Sequence, residues 1–317
     1  MDCQNREENS PLKGKPLGRR EFLKGAGRAA ALGGAALVSG CGTGLIGSNE
    51  ELRLRWKEYF KGNYQLMTQA EKDETIKRLE RLAKIDRGVD IQISSKEPIE
   101  SVLFGYAFNV TRCEGFMECV SACVKENNLD RKTETQYIRI FETEYGQMNP
   151  ESGNGKYFHE VPVEGHFYMG VQCFQCESAP CIKACPTKAT WREPDGLVVV
   201  DYDWCIGCRY CMAACPYWGR RFNWNTPVVP PEQMTKKQHY LGNRLRGKGQ
   251  VEKCTFCVQR TREGRLPACV EACPTGSRIF GNLLDPKSEI RFVLRNKKVF
   301  RLKEDLGTDP KFWYFID

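Results

Sequence analysis

Four groups of cysteines carry the chemistry this sequence can do. The third is Cys205-x2-Cys208-x2-Cys211-x3-Cys215-Pro216. Three thiolates spaced by two residues wrap a tight loop around one iron–sulfur cube, and the fourth, on the following helix, points to a second cube. A short residue such as Gly207 lets backbone amides approach the sulfides, and the proline stops regular helix hydrogen bonding beside the last thiolate. The second group, Cys173-x2-Cys176-x4-Cys181-x3-Cys185-Pro186, and the fourth, Cys254-x2-Cys257-x11-Cys269-x3-Cys273-Pro274, keep the opening pair and the closing C-x3-C-P. The first is Cys113-x5-Cys119-x3-Cys123. Laid on the third, it has Cys113, Cys119 and Cys123 as first, third and fourth ligands, Phe116 at the second position, and Val124 in place of the proline.

Other chemistries fit these spacings badly. Structural zinc wants two C-x2-C pairs or a Cys/His mixture around one ion, and the chain has only three His, namely His159, His166 and His239. A disulfide framework gives no reason for the repeat, and 17 cysteines are an odd number. No C-x-x-C-H occurs to attach a c-type haem, and no Walker loop, dinucleotide fingerprint or nucleophile–base pattern is found. Intrinsic disorder is excluded as the main state by a chain of 317 residues that is 41% hydrophobic and 28% charged. No run of 18 apolar residues occurs, so no ordinary membrane-spanning helix is expected.

The elements that must hold these cysteines are short. A β-prone segment follows the first group at 136–141 and the fourth at 277–280, and 189–200 reads as a hairpin turning at Asp195-Gly196. The repetition points to duplication of a small cluster-binding unit. Upstream, Thr68-Gln69-Ala70-Glu71 is a capping box that opens a helix with Ile76, Leu79 and Ala83 on one face and Gly88 as its stop. Residues 89–93 alternate like a short strand, and Trp56, Tyr59 and Phe60 read as packing residues. Residues 218–250 lack periodicity, are basic and carry Pro227, Pro230 and Pro231, which suits either a partner-docking loop or a solvated insertion.

The N-terminus reads as an address. Gly18-Arg19-Arg20-Glu21-Phe22-Leu23-Lys24 is a twin-arginine pattern ahead of an Ala/Gly-rich run at 25–40, too short to span a bilayer. This route carries folded proteins, so a cofactor can be inserted in the reducing cytoplasm before export. Leu37-Val38-Ser39-Gly40-Cys41 resembles a lipoprotein signal ending, with cleavage elsewhere or an uncleaved anchor as the alternatives. Cys3 is assigned no role. The resulting division is 1–41 as export signal with a lipobox, 42–100 as linker and helical extension, and 101–317 as the cluster domain.

The run from Cys205 to Tyr217, with the three related motifs across 101–280, resembles the four-cluster iron–sulfur subunits of bacterial respiratory oxidoreductases. These include the beta subunits of dimethyl sulfoxide, polysulfide and tetrathionate reductases and of formate dehydrogenases. The export signal and extension look closer to exported members such as the iron–sulfur subunit of the menaquinone reductase complex of sulfate reducers. The resemblance implies an α+β fold: two pseudo-symmetric ferredoxin-like dicluster modules, motifs I and IV paired and motifs II and III paired, with an N-terminal helical extension. Carried over, Cys173, Cys176, Cys181 and Cys215 hold one 4Fe–4S cluster. A second falls to Cys205, Cys208, Cys211 and Cys185, and a third to Cys254, Cys257, Cys269 and Cys123. Cys113, Cys119 and Cys273 remain with Phe116 at the vacant corner, and three thiolates suit a 3Fe–4S cluster. The Phe116 ring would shield that corner from water. The competing outcome is a lost cluster, with Cys113 and Cys119 as packed thiols. These sets use 15 cysteines, and Cys3 and Cys41 complete the 17.

Four such clusters carry about −8 together, which the formal +8 does not count, so the excess of Lys and Arg need not imply nucleic acid. Arg209 and Lys253 stand beside ligands, either raising local potentials or as ordinary surface charges. The function expected is non-catalytic electron transfer within a membrane-associated complex on the periplasmic side. The partners implied are a polytopic quinone-site membrane subunit, a molybdopterin-type large subunit and a multihaem cytochrome c. The alternative is a free-standing exported polyferredoxin.

Overall fold

Thr68 caps a helix in the way its capping box predicts. Its hydroxyl accepts from the Glu71 amide at 3.3 Å, and the Glu71 carboxylate accepts from the Thr68 amide at 2.8 Å. The helix Gln69–Arg87 follows, ending at Gly88 with φ 67°, and buries Ile76 and Ala83. This computed structural model describes residues 67–147, 149 and 152–317. Cys3, Arg19, Arg20, Cys41, Trp56, Tyr59 and Phe60 lie outside the described residues. Among the described residues no helix is long and apolar enough to cross a membrane.

The expected alternation at 89–93 is present as burial of Val89, Ile91 and Ile93. The ladder itself is Gln92–Ser94, parallel to Lys237–His239. The hairpin forms as Thr190–Arg192 against Val198–Val200, with Gly196 at φ 82°. Arg139–Glu144, beginning later than the expected 136–141, pairs antiparallel with His166–Val171.

The main sheet was only partly legible, because of its four strands only Arg278–Asn282 was expected, from the β-prone segment at 277–280. Phe104–Asn109 is its centre, antiparallel to Arg278–Asn282 and parallel to Phe312–Ile316, which pairs in turn with Lys298–Phe300. All six residues of Phe104–Asn109 are buried. One face packs Ala107, Ile279 and Phe315 against Ile290 and Val293 of the helix Glu289–Asn296. The other stacks Tyr106 on Phe312 at 4.9 Å and Phe312 on Phe174 at 4.8 Å, carrying the core to the second cysteine motif.

Residues 218–250 are not a solvated insertion. They include Arg220–Phe222, which pairs with Val251–Lys253, and Lys237–His239. Tyr240, Asn243, Arg244 and Arg246 are buried. Their polar groups bond to backbone: Asn243 Nδ2 donates to the Glu126 carbonyl at 3.0 Å and Arg246 Nη2 to the Asn127 carbonyl at 2.8 Å. A segment held by side-chain-to-backbone bonds needs no apolar face, so no hydrophobic period marks it.

Candidate metal centres

Each cysteine motif opens with the same backbone device. Its third residue is left-handed: Gly115 (φ 81°), Gln175 (φ 47°), Gly207 (φ 75°) and Phe256 (φ 52°). Such a residue turns successive amides inward around the opening cysteine. Two of the four are not glycine, and both are pinned. Gln175 donates to the Cys254 carbonyl at 2.7 Å and accepts from the Val198 amide at 2.7 Å, and Phe256 is buried against Tyr106 and Phe280. At Gly207 a Cβ would stand 2.2 Å from the Gly249 carbonyl oxygen. Its glycine therefore answers to φ and to a crossing backbone as well as to amide approach.

The turns bring thiols of different motifs near one another. Cys119 and Cys273 act on the thiol of Cys113. Cys254, Cys257 and Cys269 act on Cys123. Cys173, Cys215 and Cys181 act on Cys176. Cys205 and Cys185 act on Cys211, and Cys185 packs against Cys205 and Cys211. Cys208 is half-buried. The helix Glu118–Glu126 packs on Ala268–Glu271, and Pro180–Lys183 packs on Tyr210–Ala213. Thiols of neighbouring groups also act on one another: Cys269 on Cys119, Cys173 on Cys254, and Cys181 on Cys211.

The surroundings are dry and thiol-rich. Burial, with the neighbouring thiols adding to it, pushes Cys113 and Cys211 up to about 11 and Cys176 and Cys257 to about 12. Cys273 is the exception. Burial raises it, but bonds from Thr275 and Ser277 and the charge of Arg278 bring it below the ordinary thiol value. Amide groups already reach sulfur: Val251 N–H to Cys205 Sγ and Phe256 N–H to Cys254 Sγ, both at 3.4 Å. Asn127 Nδ2 lies 3.5 Å from Cys123 Sγ and 3.7 Å from Cys257 Sγ. All fifteen cysteines among the described residues are free. Among those residues no three His, Cys, Asp or Glu side chains converge on a single-ion point, whereas zinc draws its sulfurs to about 2.3 Å. Soft sulfur donors from several motifs, with N–H groups aimed at them, fit a polynuclear iron–sulfur cluster.

Phe116 sits at the mouth of the first group, in a pocket it lines with Cys113, Cys119 and Cys273. Phe116 is 41% exposed, so the expected shielding of this pocket from water is only partial. Arg209 and Lys253 separate. Arg209 is exposed, its guanidinium 4.7 Å from the Trp224 ring centroid and 5.3 Å from that of Phe222. Lys253 is no surface charge: it is 1% exposed and donates to the Cys254 carbonyl at 2.8 Å. The sequence analysis missed Arg220 and Arg278, which are buried and face thiols. Their signal was available, since each stands five residues after a closing cysteine.

Comparison with known proteins agrees with this donor chemistry. A 4Fe-4S dicluster domain family matches residues 165–243 and 239–283. The selenate reductase of Mesobacillus selenatarsenatis has a subunit that is 33% identical over 312 residues, 95% of this chain and 97% of that protein. The Hdr-like menaquinol oxidoreductase iron-sulfur subunit 1 of Archaeoglobus fulgidus is 37% identical over 250 residues, 70% of this chain and 86% of its own. The iron-sulfur cluster-binding subunit of menaquinone reductase from Nitratidesulfovibrio vulgaris is 35% identical over 239 residues, 67% and 88% of the two chains.

Proposed function

The chain belongs to the family of iron–sulfur subunits of respiratory oxidoreductase complexes, and from that premise we propose that it is the electron relay of such a complex. The observation that carries this reading is the succession of thiol groups. Cys113, Cys119 and Cys273 adjoin, through Cys119 and Cys269, the group of Cys123, Cys254, Cys257 and Cys269. That group adjoins Cys173, Cys176, Cys181 and Cys215 through Cys254 and Cys173. The last step, through Cys181 and Cys211, reaches Cys185, Cys205 and Cys211, to which the motif's spacing adds Cys208. A line of one-electron centres is a wire, with three 4Fe–4S clusters and one 3Fe–4S cluster at the Phe116 end supplying the redox chemistry when bound. The packing of the first motif's helix on the fourth's, and of the second's on the third's, supports two pseudo-symmetric dicluster modules.

The protein's part is to hold thiols, exclude water and aim N–H groups at sulfur. Both ends of the line reach the surface: Phe116 is 41% exposed at one, and Ile206 and Tyr210 are 44% and 65% exposed at the other. One end would exchange electrons with a quinone-site membrane subunit, the other with a molybdopterin-type or cytochrome subunit. Nothing in the line calls for bond chemistry of its own.

Purification under mild detergent, with iron analysis and electron paramagnetic resonance, tests the reading. The expected result is co-purification with a membrane subunit, about 15 iron atoms per chain and a 3Fe–4S signal on oxidation. A monomer that retains all its iron and needs no partner would favour a diffusible polyferredoxin. The location is proposed as the periplasmic face of the membrane, reached by the twin-arginine route and held by partners, with Cys41 as the candidate lipid site. Replacing Arg19 and Arg20 by Lys should leave cluster-loaded protein in the cytoplasm.

A further inference from the structure

Five residues beyond the closing cysteine of the third motif stands Arg220, and five beyond that of the fourth stands Arg278. The same place in the second motif is Thr190 and in the first Asn128. Both arginines are 3% exposed. A buried cation is costly without a counter-charge, and other buried arginines here have carboxylates. Arg246 pairs with Glu252, Arg262 with Asp195 and Glu193, and Arg244 with Asp201 and Asp203.

Arg220 and Arg278 are bonded to neutral groups instead. Arg220 Nη1 donates to Thr190 Oγ1 at 3.4 Å. Arg278 Nη1 donates to Gln172 Oε1 at 2.9 Å and to the Tyr106 hydroxyl at 3.1 Å, with the guanidinium 5.1 Å from the Phe108 ring centroid. Arg220 Nε and Nη2 and Arg278 Nη2 are buried with no oxygen or nitrogen acceptor. What faces them is sulfur from two groups at once. Arg220 acts with Cys181 and Cys173 of one group and Cys211 of the next. Arg278 acts with Cys119 of one and Cys269 of the next, and pulls down Cys113 and Cys273 as well.

We infer that Arg220 and Arg278 are potential-setting residues, one at each outer junction of the line of thiol groups, whose fixed charges raise the reduction potentials of the two centres they adjoin. The inference rests on the four-group reading above. An electron arriving at a centre adds one negative charge there and leaves its donor one charge poorer. The guanidinium keeps its proton and transfers nothing. A fixed positive charge in a dry site attracts the added electron and so favours the reduced form. Hydrogen bonds to sulfur act in the same direction. Arg244 also buries an N–H without a hydrogen-bond partner, but it has carboxylates beside it; Arg220 and Arg278 combine such N–H groups with no carboxylate at all.

The test is a redox titration of the whole detergent-solubilised complex, each centre followed by its paramagnetic signal, for Arg220→Gln, Arg220→Lys, Arg278→Gln and Arg278→Lys. Each Gln variant should lower the potentials of its own two centres by about 59 mV or more, a tenfold change in a one-electron equilibrium, and leave the far pair near wild type. Each Lys variant should recover at least half of that shift. Unmoved potentials in an iron-complete Gln variant would overturn the inference, as would equal shifts at all four centres. If a Gln variant loses iron, the Lys variant decides: full iron with near-wild-type potentials supports the inference, and lost iron or lowered potentials overturns it. Wild-type protein lacking four cluster signals would instead overturn the four-group reading itself.

Discussion

In the first motif Gly115 has φ 81° and Met117, which caps the next helix, φ 61°; in the third, Gly207 has φ 75° and Arg209, which caps the next helix, φ 64°. The loops Cys113–Phe116 and Cys205–Cys208 thus share a backbone and differ at the corner between these two turns, where one presents an apolar ring and the other a thiol. The first loop keeps its shape without the ligand because other contacts hold it. Tyr157 donates to the Gly115 carbonyl at 2.7 Å, and Tyr168, bonded to the Val163 amide at 3.0 Å, lies where a Gly115 Cβ would go. Loop shape and ligand identity are encoded by different residues, so one can change while the other stays.

Removing a thiol should break the comparison most severely. Cys211→Ala should cost the third loop's cluster, about four of about 15 iron atoms, and Cys119→Ala in the first about three. Iron analysis reads both, and a loss of four from each would contradict a three-iron site. Phe116→Cys sharpens it from the other side: with the loop already shaped, a thiol should complete the corner, raising iron by about one and abolishing the 3Fe–4S signal. About 12 iron atoms in the fully loaded wild type, with no such signal, would mean the first loop holds no cluster.

The glycines come next. Gly207→Ala should cost ~3 kcal/mol and Gly115→Ala ~2 kcal/mol in denaturant unfolding, summing the left-handed penalty and crowding. Gly207 is the worse because its Cβ would meet a backbone oxygen at 2.2 Å, whereas Gly115 would meet the Tyr168 ring at 2.5 Å. The reverse order would show that the ring, not the crossing backbone, is the firmer wall.

The smallest effect belongs to His239, on neither loop. Its Nδ1 accepts from the Leu241 amide at 3.1 Å, leaving Nε2–H to donate to the Lys96 carbonyl at 3.0 Å. Burial lowers its pKa from 6.5 to about 4, with Arg262 and Lys72 adding to the fall against the Lys96 bond and Glu97. The unfolded chain therefore takes the proton first. The stability this gives is full above about pH 6.5 and is lost as pH falls toward 4, at roughly 1 kcal/mol between pH 6.5 and 5.5. Unfolding across that window should show the slope, His239→Gln should remove it, and the two loops should respond alike.

Much of the candidate site was legible because cysteine spacing is local. The opening pairs, the closing prolines and the gap at Phe116 are all short-range, as are the Thr68 capping box and the hairpin at Gly196. Less legible were Gln175 and Phe256, residues that ordinarily avoid positive φ and hold it only through tertiary contacts. The role of 218–250 was hidden for a related reason: Asn243 and Arg246 bond to backbone more than a hundred residues away.

The sequence by itself determined the donor chemistry, since four repeats of thiolate spacing restrict the metal and the cofactor class whatever the fold around them. It also showed where the first repeat has Phe116 in place of a cysteine. Only the tertiary structure decided which cations accompany the thiols and which faces reach solvent. Lys253 and Arg209 both stand beside a ligand in the chain, yet one is buried and the other lies over an exposed tryptophan. Arg220 and Arg278 stand five residues from the nearest motif and face sulfur from two groups. Spacing along a chain constrains what a short loop can wrap, but charge acts through space, and its distances are set by packing between segments far apart in sequence.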